Sequence, residues 1–348
     1  MDTEDFYVPL TGRTAFDAGE EMPRASHVVA RLPASRLLSM AMWRGTLLPS
    51  ILPRLLMMSA YVSLVYVLLA VNSETHKALL SVHGNQMKTL FTMWGLSTSI
   101  LLVPFVSGAT KKWQALLDSL RRFQGRLNDI MLLTSAYTKN TPGGAKSGAA
   151  IARLVKAVSH ASFAGFKAVP RELAVLSLGH AKAALTADEN EALEALPQPG
   201  YGLLVWVLAA ATQAAERRHV RSPQNYAFHM SNQVMQVRSA IGVVSDLLDD
   251  THGPLLFTHL MTLNLTFSFI LLPWALAEDM GPWVIPGAFF YVLLYDGLLT
   301  YASMASQPFT GRYPLLNINT IIAESSRAVT KRFPPAAAHF PRSLMVDS

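Results

Sequence analysis

The chain has 348 residues and a formal net charge of +6, from 29 Lys+Arg against 23 Asp+Glu. It is 51 % hydrophobic and 15 % charged, where ordinary soluble domains carry about 25 % charged residues. With a mean hydropathy of +0.28, these values exclude a disordered chain, a collagen-like fibre and a typical soluble enzyme. The absence of Cys excludes disulfide frameworks, thiolate zinc sites, iron–sulfur clusters and Cys nucleophiles. The positive balance leaves nucleic acid, anionic lipid headgroups and a small anion open as partners.

In chain order, residues 1–40 hold six acids, Asp2, Glu4, Asp5, Asp17, Glu20 and Glu21. No apolar stretch follows a basic start, so neither a signal peptide nor a transit peptide is expected. Leu55 to Val71 is uncharged, with Arg54 just upstream and expected to snorkel to headgroups. Thr89 to Thr110 contains no Asp, Glu, Lys or Arg. Residues 111–250 are different: sixteen Lys+Arg and eleven Asp+Glu give a net +5. Trp113, Leu116, Leu117, Leu120 and Phe123 form an apolar stripe at helical spacing, with Arg121 and Arg122 off it. Ile151 to Leu185 and Tyr201 to Leu248 also read as helical. Thr141-Pro-Gly-Gly and Pro197-Gln-Pro-Gly read as breaks. Pro254 to Ala277 is apolar, with His259 its only titratable group, and Pro282 to Gly311 carries the single charge Asp296.

About 20 apolar residues cross a bilayer, so four spans are expected. The predicted organisation is a cytosolic segment over 1–40, membrane helices 1 and 2 over 41–110 and a cytosolic helical region over 111–250. Membrane helices 3 and 4 follow over 251–305, then a tail over 306–348. Basic residues cluster before span one (Arg24, Arg31, Arg36, Arg44), after span two (Lys111, Lys112, Arg121, Arg122, Arg126) and after span four (Arg312, Arg327, Lys331, Arg332). The positive-inside rule places both termini and the 111–250 region on one side, the cytosolic one.

Catalytic patterns are scarce. None of the ten His forms HExxH, and no Walker loop, GxSxG or GxGxxG is present. No cofactor and no metal are expected. Asp246, Asp249 and Asp250 read as a solvated helix end. The Lys and Arg sit mostly beside spans, where topology explains them, so nucleic acid is not expected as a partner. In span two, Leu96, Ile100 and Pro104 fall at i, i+4 and i+8 on one helix face. That face reads either as ordinary span packing or as a hydrophobic ring, repeated by symmetry, that gates a pore by dewetting. Pro104 is expected to kink the helix or free a carbonyl. Asp296 is costly at membrane depth unless it is paired or faces water.

Several segments together resemble the bestrophin family of anion channels, particularly its bacterial and plant-type branch, over roughly residues 35 to 330. Trp43-Arg-Gly-Thr-Leu-Leu-Pro is similar to the family's start of the first membrane helix. Gly95 to Trp113 resembles the family stretch from a Gly through an apolar helix to Arg-Trp, with Lys112 and Trp113 in the last two places. Arg221-Ser-Pro-Gln is similar to the Arg-Asp-Pro turn before the cytosolic constriction. Gly253-Pro-Leu-Leu-Phe-Thr-His resembles the opening of the third membrane helix, and Gly297 to Phe309 has the Gly-to-Pro-Phe spacing of the last one.

The resemblance implies an all-α membrane protein: a homopentamer of four-span subunits with a large helical cytosolic region and a central anion pore. It places Leu96, Ile100 and Pro104 in a hydrophobic neck and Gln224 at the cytosolic aperture. The C-terminal tail would pack on a neighbouring subunit. Lys111 and Lys112, repeated five times, would concentrate anions near one mouth, and chloride and bicarbonate both fit. The sequence also departs from the family. Pro308-Phe-Thr-Gly-Arg-Tyr-Pro-Leu-Leu lacks the acids of the animal calcium clasp, and Pro104 replaces an aromatic neck residue. A membrane enzyme using His259 or Asp296, or a chemoreceptor-like multi-span protein, are the alternatives. The sequence does not distinguish the plasma membrane from the thylakoid membrane.

Overall fold

The computed structural model describes residues 48–71, 73–166, 169–249 and 252–306 together with Phe309. The expectations for 1–40, for Trp43 to Leu47 and for the tail beyond Phe309 lie outside the described residues. The described elements are helices: α1 (Leu48–Val71), α2 (Ser73–Tyr137), α3 (Pro142–Gly165), α4 (Arg171–Ala183), α5 (Ala187–Glu194), α6 (Pro199–Glu216), α7 (Pro223–Asp249), α8 (His252–Met280) and, after a 3-10 turn at Gly281–Trp283, α9 (Val284–Ser306). They fall into two compact units, divided at Gln114/Ala115 and again at Asp249/Asp250.

The first unit holds α1, the beginning of α2, α8 and α9. Three stretches are long and apolar enough to cross a membrane: Ser50–Val71, His83–Tyr137 and Leu256–Ser306. The third is 51 residues long and contains both α8 and α9, so the two last expected spans form one apolar stretch. Gly281 breaks it at φ +53, a backbone conformation that suits glycine. The two helices then fold back on each other: Phe269 meets Tyr291 edge to face at 5.7 Å, and Leu272 packs with Val284 and Ala288. Ile51, Leu55 and Met58 of α1 join Leu102 of α2, Met261, Leu265 and Phe269 of α8, and Val292 and Leu299 of α9 in one core.

Pro104 does not end its helix. α2 runs 65 residues with Pro104 inside it. Proline lacks the N–H that Ile100 O would otherwise accept from within the helix.

The second unit, residues 115–249, is built around α3, α6 and α7. Leu116, Leu120 and Phe123, the stripe read from the sequence, are each at most 2 % exposed. Two long stretches read as helical are each divided. Ile151–Leu185 breaks where Pro170 precedes α4, because a residue before or at a proline resists the helical conformation. Tyr201–Leu248 breaks at Arg217–Ser222, where Arg218 and Ser222 take positive φ of 55 and 45. Helix starts follow local chemistry. Thr141 caps α3 by accepting from Gly144 N, and Thr186 and Glu189 form a reciprocal capping box on α5. Gly144 is required by contact, since a Cβ there would lie 2.3 Å from Lys139 O.

Candidate functional site

The candidate residues lie on two elements, α2 and the start of α7. In α2 the helix turns Leu96 (62 % exposed) and Ile100 (61 %) to one side, with Val103 (69 %) and Met93 (63 %) beside them. Pro104 and, further on, Lys111 are exposed too and continue that side. The opposite side is packed: Thr98 is 0 % and Leu102 2 % exposed. A 100° step per residue produces this division, because Thr98 stands about 200° around the helix from Leu96. Lys112, next to Lys111, turns aside and is half-buried.

The exposed side of α2 differs in kind from those of α1 and α9. From Leu55 to Val71 the exposed residues of α1 are all apolar, as are those of α9. On α8 one exposed hydroxyl, Thr266, is found among the described residues. On α2, exposed Thr89, Thr92, Ser97 and Ser107 alternate with the apolar side chains. Thr89, Thr92 and Ser97 donate to the carbonyls of Asn85, Lys88 and Met93, four residues earlier.

The packed side of α2 carries polar contacts that sequence reasoning missed. Thr98 Oγ1 lies 2.7 Å from Asn264 Oδ1 on α8. Ser99 Oγ donates to Gly95 O and lies 2.8 Å from the Tyr295 hydroxyl on α9. Either hydroxyl of the Ser99–Tyr295 pair can be the donor of that second bond. Asp296, the next residue on α9, accepts from Arg54 of α1. Arg54 therefore reaches inward to a carboxylate rather than only outward to headgroups. The sequence signal for these contacts was present in Thr98, Ser99 and Asn264 as polar residues inside apolar runs, but their partners were not legible.

Gln224 belongs to the other unit and is exposed in the first turn of α7. Its position is fixed by the turn before it. An isolated antiparallel bridge joins Thr138 and Val220. Lys139 N donates to His219 O at 3.0 Å, and Arg221 N to Tyr137 O at 2.7 Å. His219 Nδ1 is also 2.8 Å from Ser147 Oγ. Pro223 then begins α7 at the position where its missing N–H is tolerated. The structure thus gathers Leu96, Ile100, Pro104 and Lys111 on one helix side and places Gln224 on a separately braced turn.

The model of the family described as "Bacterial/Fungal Bestrophin protein" matches residues 27–331. The chain belongs to the bacterial/fungal bestrophin family. Solved structures with the same fold include a point mutant of a bacterial bestrophin homologue from Klebsiella pneumoniae, at 16 % identity and a TM-score of 0.67, covering 80 % of this chain and 97 % of that one. The homologue from the same organism solved by Zn-SAD phasing gives 14 % identity and a TM-score of 0.68, covering 82 % and 99 %. No curated protein matches the chain. Family membership supports an integral membrane protein with an anion-channel role in general terms. It does not favour the enzyme alternative, and Asp296, one of the two residues that alternative relied on, is engaged by Arg54.

Proposed function

We propose that this bestrophin family member assembles as a homopentamer of four-span subunits and conducts small anions, chloride and bicarbonate among them, along a path lined by five copies of α2. Leu96, Ile100 and Pro104 form its hydrophobic neck. Lys111 and Lys112 raise the local anion concentration beyond the neck, and Gln224 lines a cytosolic aperture. The observation that carries this reading is the composition of the exposed side of α2. Faces directed at lipid need no hydroxyls, and the exposed residues of α1 beyond Arg54 and of α9 have none. The mixture of Leu96 and Ile100 with Ser97 and Ser107 suits a surface that meets both partner subunits and water.

An apolar ring strips only part of an ion's hydration shell, so it penalises strongly hydrated ions most. Lys111 supplies attraction without a binding trap, because its charge is exposed to water. Gln224 offers amide N–H donors but no full charge, which favours passage over capture.

Planar-bilayer recording of the purified, reconstituted protein tests this reading. Anion current with permeability ordered by ease of dehydration is expected, from a species whose mass equals five subunits. Cation selectivity, or no current from a verified pentamer, overturns it.

A further inference from the structure

Two consecutive residues of α2 hydrogen-bond to the α8–α9 hairpin, Thr98 from the side opposite Leu96 and Ser99 from the flank between the two sides. Thr98 is fully buried and bonds Asn264 at 2.7 Å. Ser99 bonds Tyr295 at 2.8 Å. The two partners sit on different helices, so α2 is held from two directions at one level. That level is the stretch between Leu96 and Ile100. Beside them the packed side is largely apolar, with Leu102 buried in the same core as Met261, Leu265 and Phe269, and a further polar contact lies three turns on, where Thr110 Oγ1 is 3.4 Å from the Tyr301 hydroxyl.

We propose that Thr98 and Ser99 are the positioning residues of α2, whose hydrogen bonds to Asn264 and Tyr295 set the helix rotation that turns Leu96 and Ile100 to the anion path. The proposal rests on the reading of Leu96 and Ile100 as neck residues.

Apolar contacts between membrane helices discriminate weakly between rotations, because lipid tails are as apolar as leucine. A rotation of one residue, about 100°, exchanges one apolar side chain for another, Leu101 for Ile100, at little cost in contacts. The same rotation leaves Asn264 and the Tyr295 hydroxyl without partners in an environment with no water to replace them. At the level of Leu96 to Ile100, directionality is therefore supplied by the contacts of Thr98 and Ser99, with Lys88–Asp279 and Thr110–Tyr301 acting further along α2. Tyr295 is itself held: its ring packs on Tyr291 at 4.5 Å, and its neighbour Asp296 is tied to Arg54. The positioning chain thus runs from α1 through α9 to Ser99, and from α8 to Thr98.

The lack of native Cys makes the test direct. Ile100→Cys and Leu101→Cys are introduced singly into the full chain, reconstituted in liposomes and treated with an anionic, water-soluble methanethiosulfonate. In the otherwise unaltered chain Ile100→Cys reacts, and Leu101→Cys, packed against the core, does not. Adding Thr98→Val with Ser99→Ala is expected to lower Ile100→Cys labelling at least threefold and to raise Leu101→Cys labelling. Thr98→Ser, which keeps the hydroxyl, is expected to retain the parent pattern. Iodide-to-chloride permeability ratios should shift in the same variants. If the double variant fails to assemble, Tyr295→Phe removes one hydroxyl and keeps the ring. An unchanged labelling pattern in an assembled Thr98→Val/Ser99→Ala or Tyr295→Phe protein overturns the inference. Failure of the neck reading is separate: Ile100→Cys would then react with a lipid-soluble maleimide but not with the aqueous reagent, and the maleimide pattern would still report whether α2 has turned.

Discussion

Arg54 on α1 donates a hydrogen bond to the carboxylate of Asp296 on α9, and the two ends of this pair have unequal access to solvent. The Asp296 side chain is 3 % exposed, the Arg54 side chain 44 %. The pair closes the polar level that also contains Ser99 and Tyr295.

The inequality predicts an order of effects. Arg54→Met strands a buried carboxylate and should cost about 3 kcal/mol, in the range for breaking a buried pair. Asp296→Leu strands an arginine whose long stem can carry its charge toward headgroups, and it should cost less. The double substitution Arg54→Met/Asp296→Leu should recover most of the loss, since neither charge is then left alone. Thermal unfolding of the detergent-solubilised protein measures all three. Equal losses from the two single changes would contradict the asymmetry.

In the proposed neck, Ile100→Ala should widen the path and raise single-channel conductance or leak. Ile100 is 61 % exposed within its subunit, so subunit stability should fall by less than about 1 kcal/mol. Bilayer recording paired with a melting curve separates the two effects. An unchanged current would remove Ile100 from the anion path.

His160 should make the second unit sensitive to acid. It is 0 % exposed on α3, 5.5 Å from the His180 ring. Burial, then the charges of His180 and Lys156, lowers its pKa from 6.5 to about 3. The unfolded chain therefore binds a proton that the folded chain refuses. This contribution to stability is complete above pH 6.5 and declines at about 1.4 kcal/mol per pH unit below it. By pH 5 the loss should approach about 2 kcal/mol. Melting curves at pH 7 and 5 check this, with His160→Gln expected to flatten the difference.

Glu189 acts in a lower window. The Arg153 guanidinium donates to it, outweighing partial burial, and with the Thr186 backbone N–H brings its pKa down to about 2. Its contribution is present above about pH 4.5 and disappears as pH falls toward 2. Both partners keep about a third of their side chains in solvent, so the ion pair adds under about 1 kcal/mol. Loss of the capping box adds about 1 more. Glu189→Ala should therefore cost about 1–2 kcal/mol at pH 7, read from chemical denaturation, and little at pH 2 or below in a His160→Gln background.

Much of this fold was legible from composition and period. A low charged fraction and long uncharged runs announce membrane-length helices, because a bilayer tolerates few charges along a span. The stripe from Leu116 to Phe123 marked the buried face of α2 beyond Lys112, because helical period alone decides which residues share a side. Thr141-Pro-Gly-Gly marked the start of α3, because capping and proline chemistry are local. The breaks at Pro170 and at Arg217–Ser222 were hidden inside runs that keep a helical pattern. There the deciding features are a single proline and two residues with positive φ.

Residue spacing is enough to put Leu96, Ile100 and Pro104 on one side of a helix, and the cost of a lone charge is enough to demand a partner or water for Asp296. Which side of that helix is packed, and against what, emerges from the folded chain. It depends on Thr98 meeting Asn264, Ser99 meeting Tyr295 and Arg54 meeting Asp296, across separations of 166, 196 and 242 residues. Helical period fixes angles within one element. The pairing of polar groups between elements is fixed by packing, because at membrane depth each such group is satisfied by another helix or not at all.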